Sequence, residues 1–134
     1  MLNLLVIDDD TVDRMTVKRG LARAAIAHQL REAKDGVEAL HILRSNTMPV
    51  ARRLILLDIK LPRMDGLEFL RELRKDPELS PTPVVIITTS TSDQDRREAH
   101  RLHVAGYFVK SLDFAHFVTL LTNINLYWSD VQYA

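Results

Sequence analysis

The chain has 134 residues, 18 Lys and Arg against 18 Asp and Glu, no cysteine, and 46% hydrophobic residues. That length supports one domain with a proper core and leaves no room for a second folded unit. Zero formal charge argues against a general nucleic-acid or anionic-membrane binder, and the missing cysteines exclude disulfide scaffolds, thiol enzymes and Cys-based metal sites.

In chain order, the first apolar run is Leu4-Leu5-Val6-Ile7, followed by Asp8-Asp9-Asp10. A signal peptide would still be apolar at that point, and no apolar run approaches the ~20 residues of a membrane span, so a soluble cytoplasmic protein is expected. Asp10 or Thr11 caps a helix whose Val12, Met15, Leu21 and Ala25 fall roughly on one face. A weak strand follows near Gln29–Ala33, and Gly36 opens a short helix with Val37, Leu40 and Leu43. Leu54-Ile55-Leu56-Leu57 is a second strong strand. Asp65-Gly66 then opens a helix with Leu67, Leu70 and Leu73 on one face, ending near Asp76-Pro77. Val84-Val85-Ile86-Ile87 is the third strong strand, Ala105–Val109 a weak one, and the last helix runs from near Asp113 through Phe117, Leu121 and Ile124. Apolar runs this short, bounded by Asp, Thr or Pro, suit strands buried on both faces. Strand and helix alternating five times predicts an α/β fold, a parallel sheet with helices on both faces.

The residues just after the strands carry the chemistry. They are Asp8, Asp9 and Asp10 after the first, Asp58 after the third, Thr88-Thr89 after the fourth and Lys110 after the fifth. A parallel sheet gathers them on one edge, where open α/β sheets bind ligands. Acids, a hydroxyl and a lysine together suit a hard cation with a phosphoryl group. Asp58, at the end of the central strand, is the natural acceptor, because a carboxylate can act as nucleophile. Each residue alone has a plainer reading: the acidic pair as a helix cap, Lys110 as a surface residue, Thr88 as a backbone partner. Their convergence favours the site.

The strings "LLVIDDD", "LILLDIKLPRMDGLEFL", "PVVIITTS" and "AGYFVKS" resemble the receiver domain of two-component response regulators over about residues 2–126. "DIKLPRMDG" is the most specific segment. The resemblance implies a flavodoxin-like (βα)5 doubly wound sandwich with strand order 2-1-3-4-5, phosphorylated on Asp58. It further implies Mg2+ ligated by Asp9 and Asp58, by Asp8 through water, and by the backbone carbonyl of Lys60. Thr88 corresponds to the switch hydroxyl, Lys110 to the lysine that pairs with the phosphoryl oxygen, and Tyr107 to the aromatic that turns inward. The Lys60 side chain lies beside that site, where it attracts phosphate, hinders water or is simply solvated. One departure is Ser111, where the family has Pro after a cis peptide; a cis bond before a non-proline costs ~3 kcal/mol. The expected protein is a non-enzymatic signalling protein, apart from catalysing its own phosphorylation and dephosphorylation.

The ending "TNINLYWSDVQYA", with "TTS" and "DPELSPTPV", is similar to the small single-domain regulators paired with bacterial phytochrome kinases, which implies a sensor histidine kinase of that type as partner. Residues 1–126 then form the receiver and 127–134 a tail. Phe117, Leu121, Ile124 and Trp128 make one apolar stripe, and Leu120, Ile124, Tyr127 and Val131 an adjacent one; the surplus stripe predicts a homodimer through the last helix and tail. The rival is an enzyme. "VIDDDTV" also resembles the haloacid-dehalogenase phosphatase motif, with Asp8 as nucleophile and Asp10 as general acid. It lacks the expected glycine and a later acidic pair, and it leaves Asp58 without a role. The five histidines show no phosphotransfer pattern and read as surface or packing residues.

Overall fold

The computed structural model describes residues 1–110 and 113–130, without the side chains of 128–130. The elements are β1 (Leu2–Ile7), α1 (Thr11–Arg23), β2 (His28–Ala33), α2 (Gly36–Arg44), β3 (Arg53–Leu57), α3 (Gly66–Lys75), β4 (Val84–Thr88), α4 (Asp93–Arg101), β5 (Gly106–Val109) and α5 (Phe114–Asp130). All strand pairs are parallel, in the order β2-β1-β3-β4-β5. This is the expected doubly wound sandwich. Among the described residues no helix is long and apolar enough to cross a membrane.

The strong strands are buried at every position because each has two covered faces. Alternate residues go to opposite layers. Leu5, Ile7, Ile55, Leu57, Val84 and Ile86 join Ala39, Leu40, Leu43, Phe69, Leu70 and Leu73 of α2 and α3. Leu4, Val6, Leu54, Leu56, Val85 and Ile87 join Val17 and Leu21 of α1 and Leu121 and Ile124 of α5. Edge strand β2 alternates in burial, which is why its sequence signal was weak.

Three details differ from the sequence reading. On α1 the buried face is Val17, Gly20 and Leu21, while Val12 and Met15 are exposed. Both precede Val17 at the start of α1, where Val12 lines an open pocket with Val109, Phe114 and Phe117. Secondly, α4, for which the sequence reading named no residues, has no apolar stripe and buries only Ala99 of its nine residues. Thirdly, α5 runs unbroken through residue 126, so the expected domain boundary falls inside a helix. Its Ile124 is buried and Leu120 half-buried against the core, leaving Leu126 and Tyr127 exposed. Val131 lies outside the described residues, as do the side chain of Trp128 and the Lys110–Ser111 peptide geometry.

Candidate functional site

Backbone hydrogen bonds carry the sheet one residue past its strands. The Asp8 N–H donates to Ala33 O at 3.0 Å, Asp58 N–H to Ile7 O at 3.0 Å, and Lys110 N–H to Thr88 O at 2.7 Å. These bonds fix the two acids and the lysine at one sheet edge. The loop after β3 is then folded back tightly. Gly66 N–H donates to Ile59 O at 2.8 Å, and a Cβ on Gly66 would run into the Asp58 carbonyl oxygen. Only glycine fits so close to backbone, which gives the glycine of "DIKLPRMDG" its physical reason.

Asp58 is buried and receives three donors. Thr88 Oγ1 donates to Oδ1 at 2.8 Å, Lys60 N–H to Oδ1 at 3.3 Å, and Lys110 Nζ to Oδ2 at 2.8 Å. Lys110 also donates to Asp8 Oδ2 at 2.8 Å and to Asp13 Oδ2 at 2.7 Å. Asp8, Asp13 and Asp58 each offer an oxygen within 4.8 Å of the others, a donor set that fits a hard divalent cation. Three carboxylates against one ammonium leave the cluster with excess negative charge. Burial pushes the Asp8 carboxyl above its usual range, against the lowering effect of the Lys110 and Asp10 hydrogen bonds. For Lys110, burial opposes the charge, but the hydrogen bonds to Asp13, Asp58 and Asp8 outweigh it and hold the ammonium well above the usual lysine range.

Asp8, Asp58, Thr88 and Lys110 therefore meet as the sequence predicts. Asp9 is exposed and is not one of the three clustered acids. The third acid of the cluster is Asp13, joined to it through Lys110, and sequence reasoning missed it: a carboxylate in a first helical turn reads as a complement to the helix dipole. Arg14 was missed too. Its guanidinium donates to Asp8 O at 2.7 Å and to Glu32 at 3.2 Å, bracing the Asp8 turn against β2. Lys60 has an exposed side chain and approaches Asp58 through its backbone. Asp10 is the cap of α1, accepting from Val12 N–H at 2.8 Å and Asp13 N–H at 3.3 Å. A carboxylate so engaged is poorly placed as a general acid, and Thr88 donates to Asp58; the phosphatase alternative is not supported.

Tyr107 is half-buried against the core, and its hydroxyl donates to Ser90 O at 3.2 Å. The Arg96 guanidinium of α4 lies 5.4 Å from its ring centroid. Ser90 N–H in turn reaches Thr88 Oγ1 at 3.3 Å, so a continuous path of contacts leads from Asp58 to α4.

Comparison with known proteins agrees with this geometry. Residues 4–122 match the family described as response regulator receiver domain. The chain is 34% identical over 130 residues to "Probable methanogenesis regulatory protein FilR2" of Methanothrix harundinacea, covering 93% of this chain and 82% of that one. It is 32% identical to response regulator Rcp1 of Synechocystis sp., covering 93% and 87%. The Mn(2+)-bound structure of Rcp1 superposes with a TM-score of 0.84 at 31% identity, over 99% of this chain and 98% of that one. The phosphorylated cyanobacterial phytochrome response regulator RcpA gives 0.84 at 31% identity, over 98% and 96%. The chain belongs to the response regulator receiver family and is a regulator of the two-component phosphorelay class.

Proposed function

We propose that Asp58 is the phosphoryl acceptor and that a sensor histidine kinase is the donor. The observation that carries this is the convergence of Thr88, Lys60 N–H and Lys110 on the one buried carboxylate. Asp58 attacks phosphorus with a carboxylate oxygen; a P–O bond forms as the P–N bond to the kinase imidazole breaks. Lys110 then donates to a phosphoryl oxygen in place of the carboxylate oxygen it now holds. Asp8, Asp9, Asp58 and the Lys60 carbonyl are the proposed holders of Mg2+, which when bound neutralises phosphoryl charge. Metal-bound Rcp1 and phosphorylated RcpA support both assignments, and RcpA, a phytochrome response regulator, supports a phytochrome kinase as partner.

Output proceeds through protein contacts. Thr88 exchanges its bond to Asp58 for one to the phosphoryl group, shifting its loop, Tyr107 and α4, a population change worth ~1–3 kcal/mol. A homodimer through α5 and the tail is part of the proposal, supported by exposed Leu126 and Tyr127.

Labelling with a small phosphodonor such as acetyl phosphate tests the acceptor. Wild-type protein takes label with Mg2+ and none with a chelator; Asp58→Asn abolishes labelling, while Asp8→Asn weakens metal affinity. Stable label on Asp8 in the Asp58→Asn protein would overturn the assignment.

A further inference from the structure

Lys110 offers three N–H donors, and three carboxylates take them. Its Nζ lies 2.8 Å from Asp8 Oδ2, 2.7 Å from Asp13 Oδ2 and 2.8 Å from Asp58 Oδ2. An ammonium has no other hydrogen-bonding capacity, so this arrangement saturates it. The three partners do not share one fate during the reaction. Asp58 becomes an acyl phosphate and gives up its carboxylate charge. Asp8, beside it at the sheet edge, is a proposed holder of the metal and divides its charge with that ion. Asp13 is neither the proposed acceptor nor one of the proposed holders of the metal, although its carboxylate lies within 4.8 Å of theirs. It comes from the first turn of α1, a different element from either loop that carries the others, and its side chain is the most exposed of the three at 37%.

We infer that Asp13 is a positioning residue for phosphoryl transfer: it anchors Lys110 from the α1 side, so that the ammonium stays over Asp58 as its other two partners change. This inference rests on the phosphoacceptor reading above. The short charge-assisted bond to Asp13 restrains a flexible four-carbon stem that would otherwise lose orientation. Helix α1 is itself fixed at this end by the Asp10 cap and by Arg14, which binds the Asp8 carbonyl, so the anchor stands on rigid ground.

The test uses the full chain and the variants Asp13→Asn, Asp13→Ala and Asp13→Glu. Three readouts are followed: the 1H–15N resonance of the Lys110 ammonium, Mg2+ affinity, and the rate of Asp58 labelling by acetyl phosphate. In wild type the ammonium protons exchange slowly enough to be seen, because all three are hydrogen-bonded. Asp13→Asn and Asp13→Ala should lose that resonance and slow labelling about tenfold, equivalent to ~1.4 kcal/mol. Mg2+ affinity should fall by much less than the labelling rate measured at saturating Mg2+, and Asp13→Glu should restore most of both effects. An unaltered resonance overturns the anchor whatever the rate, because a slow variant with an intact ammonium has been damaged only through its helix. A fall in Mg2+ affinity matching the fall in rate also overturns it, making Asp13 a ligand. If wild type takes no label on Asp58, the phosphoacceptor reading fails, while the ammonium resonance still decides the anchor by itself.

Discussion

Asp35 shows how one side chain joins two segments beside the site. Its Oδ1 accepts from Glu38 N–H at 2.9 Å, capping α2, and its Oδ2 meets the Arg63 guanidinium at 2.7 Å. Burial alone would raise its pKa, but the Glu38 N–H and Arg63 hold the carboxyl below the ordinary 3.8. A folded-state pKa below the unfolded value stabilises the protein above that unfolded value, and the contribution is lost as pH falls through the lowered one. Arg63 is largely exposed, so its pairing contributes only about 1 kcal/mol. Asp35→Asn keeps a competent cap and should lose about that much stability at pH 7. In urea unfolding the gap between wild type and variant should close as pH drops below 3.8; an equal gap at pH 7 and at the acid end would remove the ionic contribution. Asp13 and Asp35 escaped the sequence reading for the same reason. Each looks like an ordinary helix-start acid until the partner, Lys110 or Arg63, arrives from a distant segment.

Among the elements, α1 ends on a device with a measurable weakness. Ile26 N–H donates to Leu21 O and Ala25 N–H to Ala22 O, each at 3.1 Å, satisfying carbonyls that the last turn leaves unpaired. The geometry requires Ala25 at φ 55°, the left-handed region that costs an L-residue roughly 1–2 kcal/mol. Ala25→Gly removes that strain but loosens the unfolded chain, so a net gain of about 0.5–1 kcal/mol is expected. Thermal unfolding should shift upward by about 2–4 °C. A downward shift would mean that the Ala25 methyl contributes more than its strain costs. Helix α4 is the opposite case. Apolar periodicity exposes α2 and α3 in the sequence, but "DQDRREAHR" has none. It is held instead by the Ser92 cap, which accepts from Asp95 N–H at 3.2 Å, by Ser90 Oγ on Asp95 at 2.7 Å, and by Arg96 over Tyr107. A helix fixed to its domain by polar contacts and the single buried Ala99 is well suited to move when Thr88 and Tyr107 rearrange.

For the whole molecule, the prediction concerns association. Leu126 and Tyr127 are 57% and 60% exposed on a helix whose other side is already in the core. Burying such surface is worth ~25 cal/mol per Å2 of apolar area, and a two-fold pair covers it on both copies at once. Light scattering should give a dimer for wild type and a monomer for the Leu126→Ser/Tyr127→Ser variant; a wild-type monomer at micromolar concentration would exclude the dimer. Local pattern suffices for much else in this protein. Four-residue apolar runs define β1, β3 and β4, Gly36 marks the start of α2 and Asp65-Gly66 that of α3, and the strand-end residues already contain Asp8, Asp58, Thr88 and Lys110. These are properties of consecutive residues, so the chain displays them directly. Only the tertiary structure decided which face of α1 is buried and how much of the α5 stripe the core consumes, since each depends on what packs opposite. It alone decided, too, that Asp13 closes on Lys110. That choice is made across the sheet edge, where α1 and the end of β5, 97 residues apart, come within a hydrogen bond.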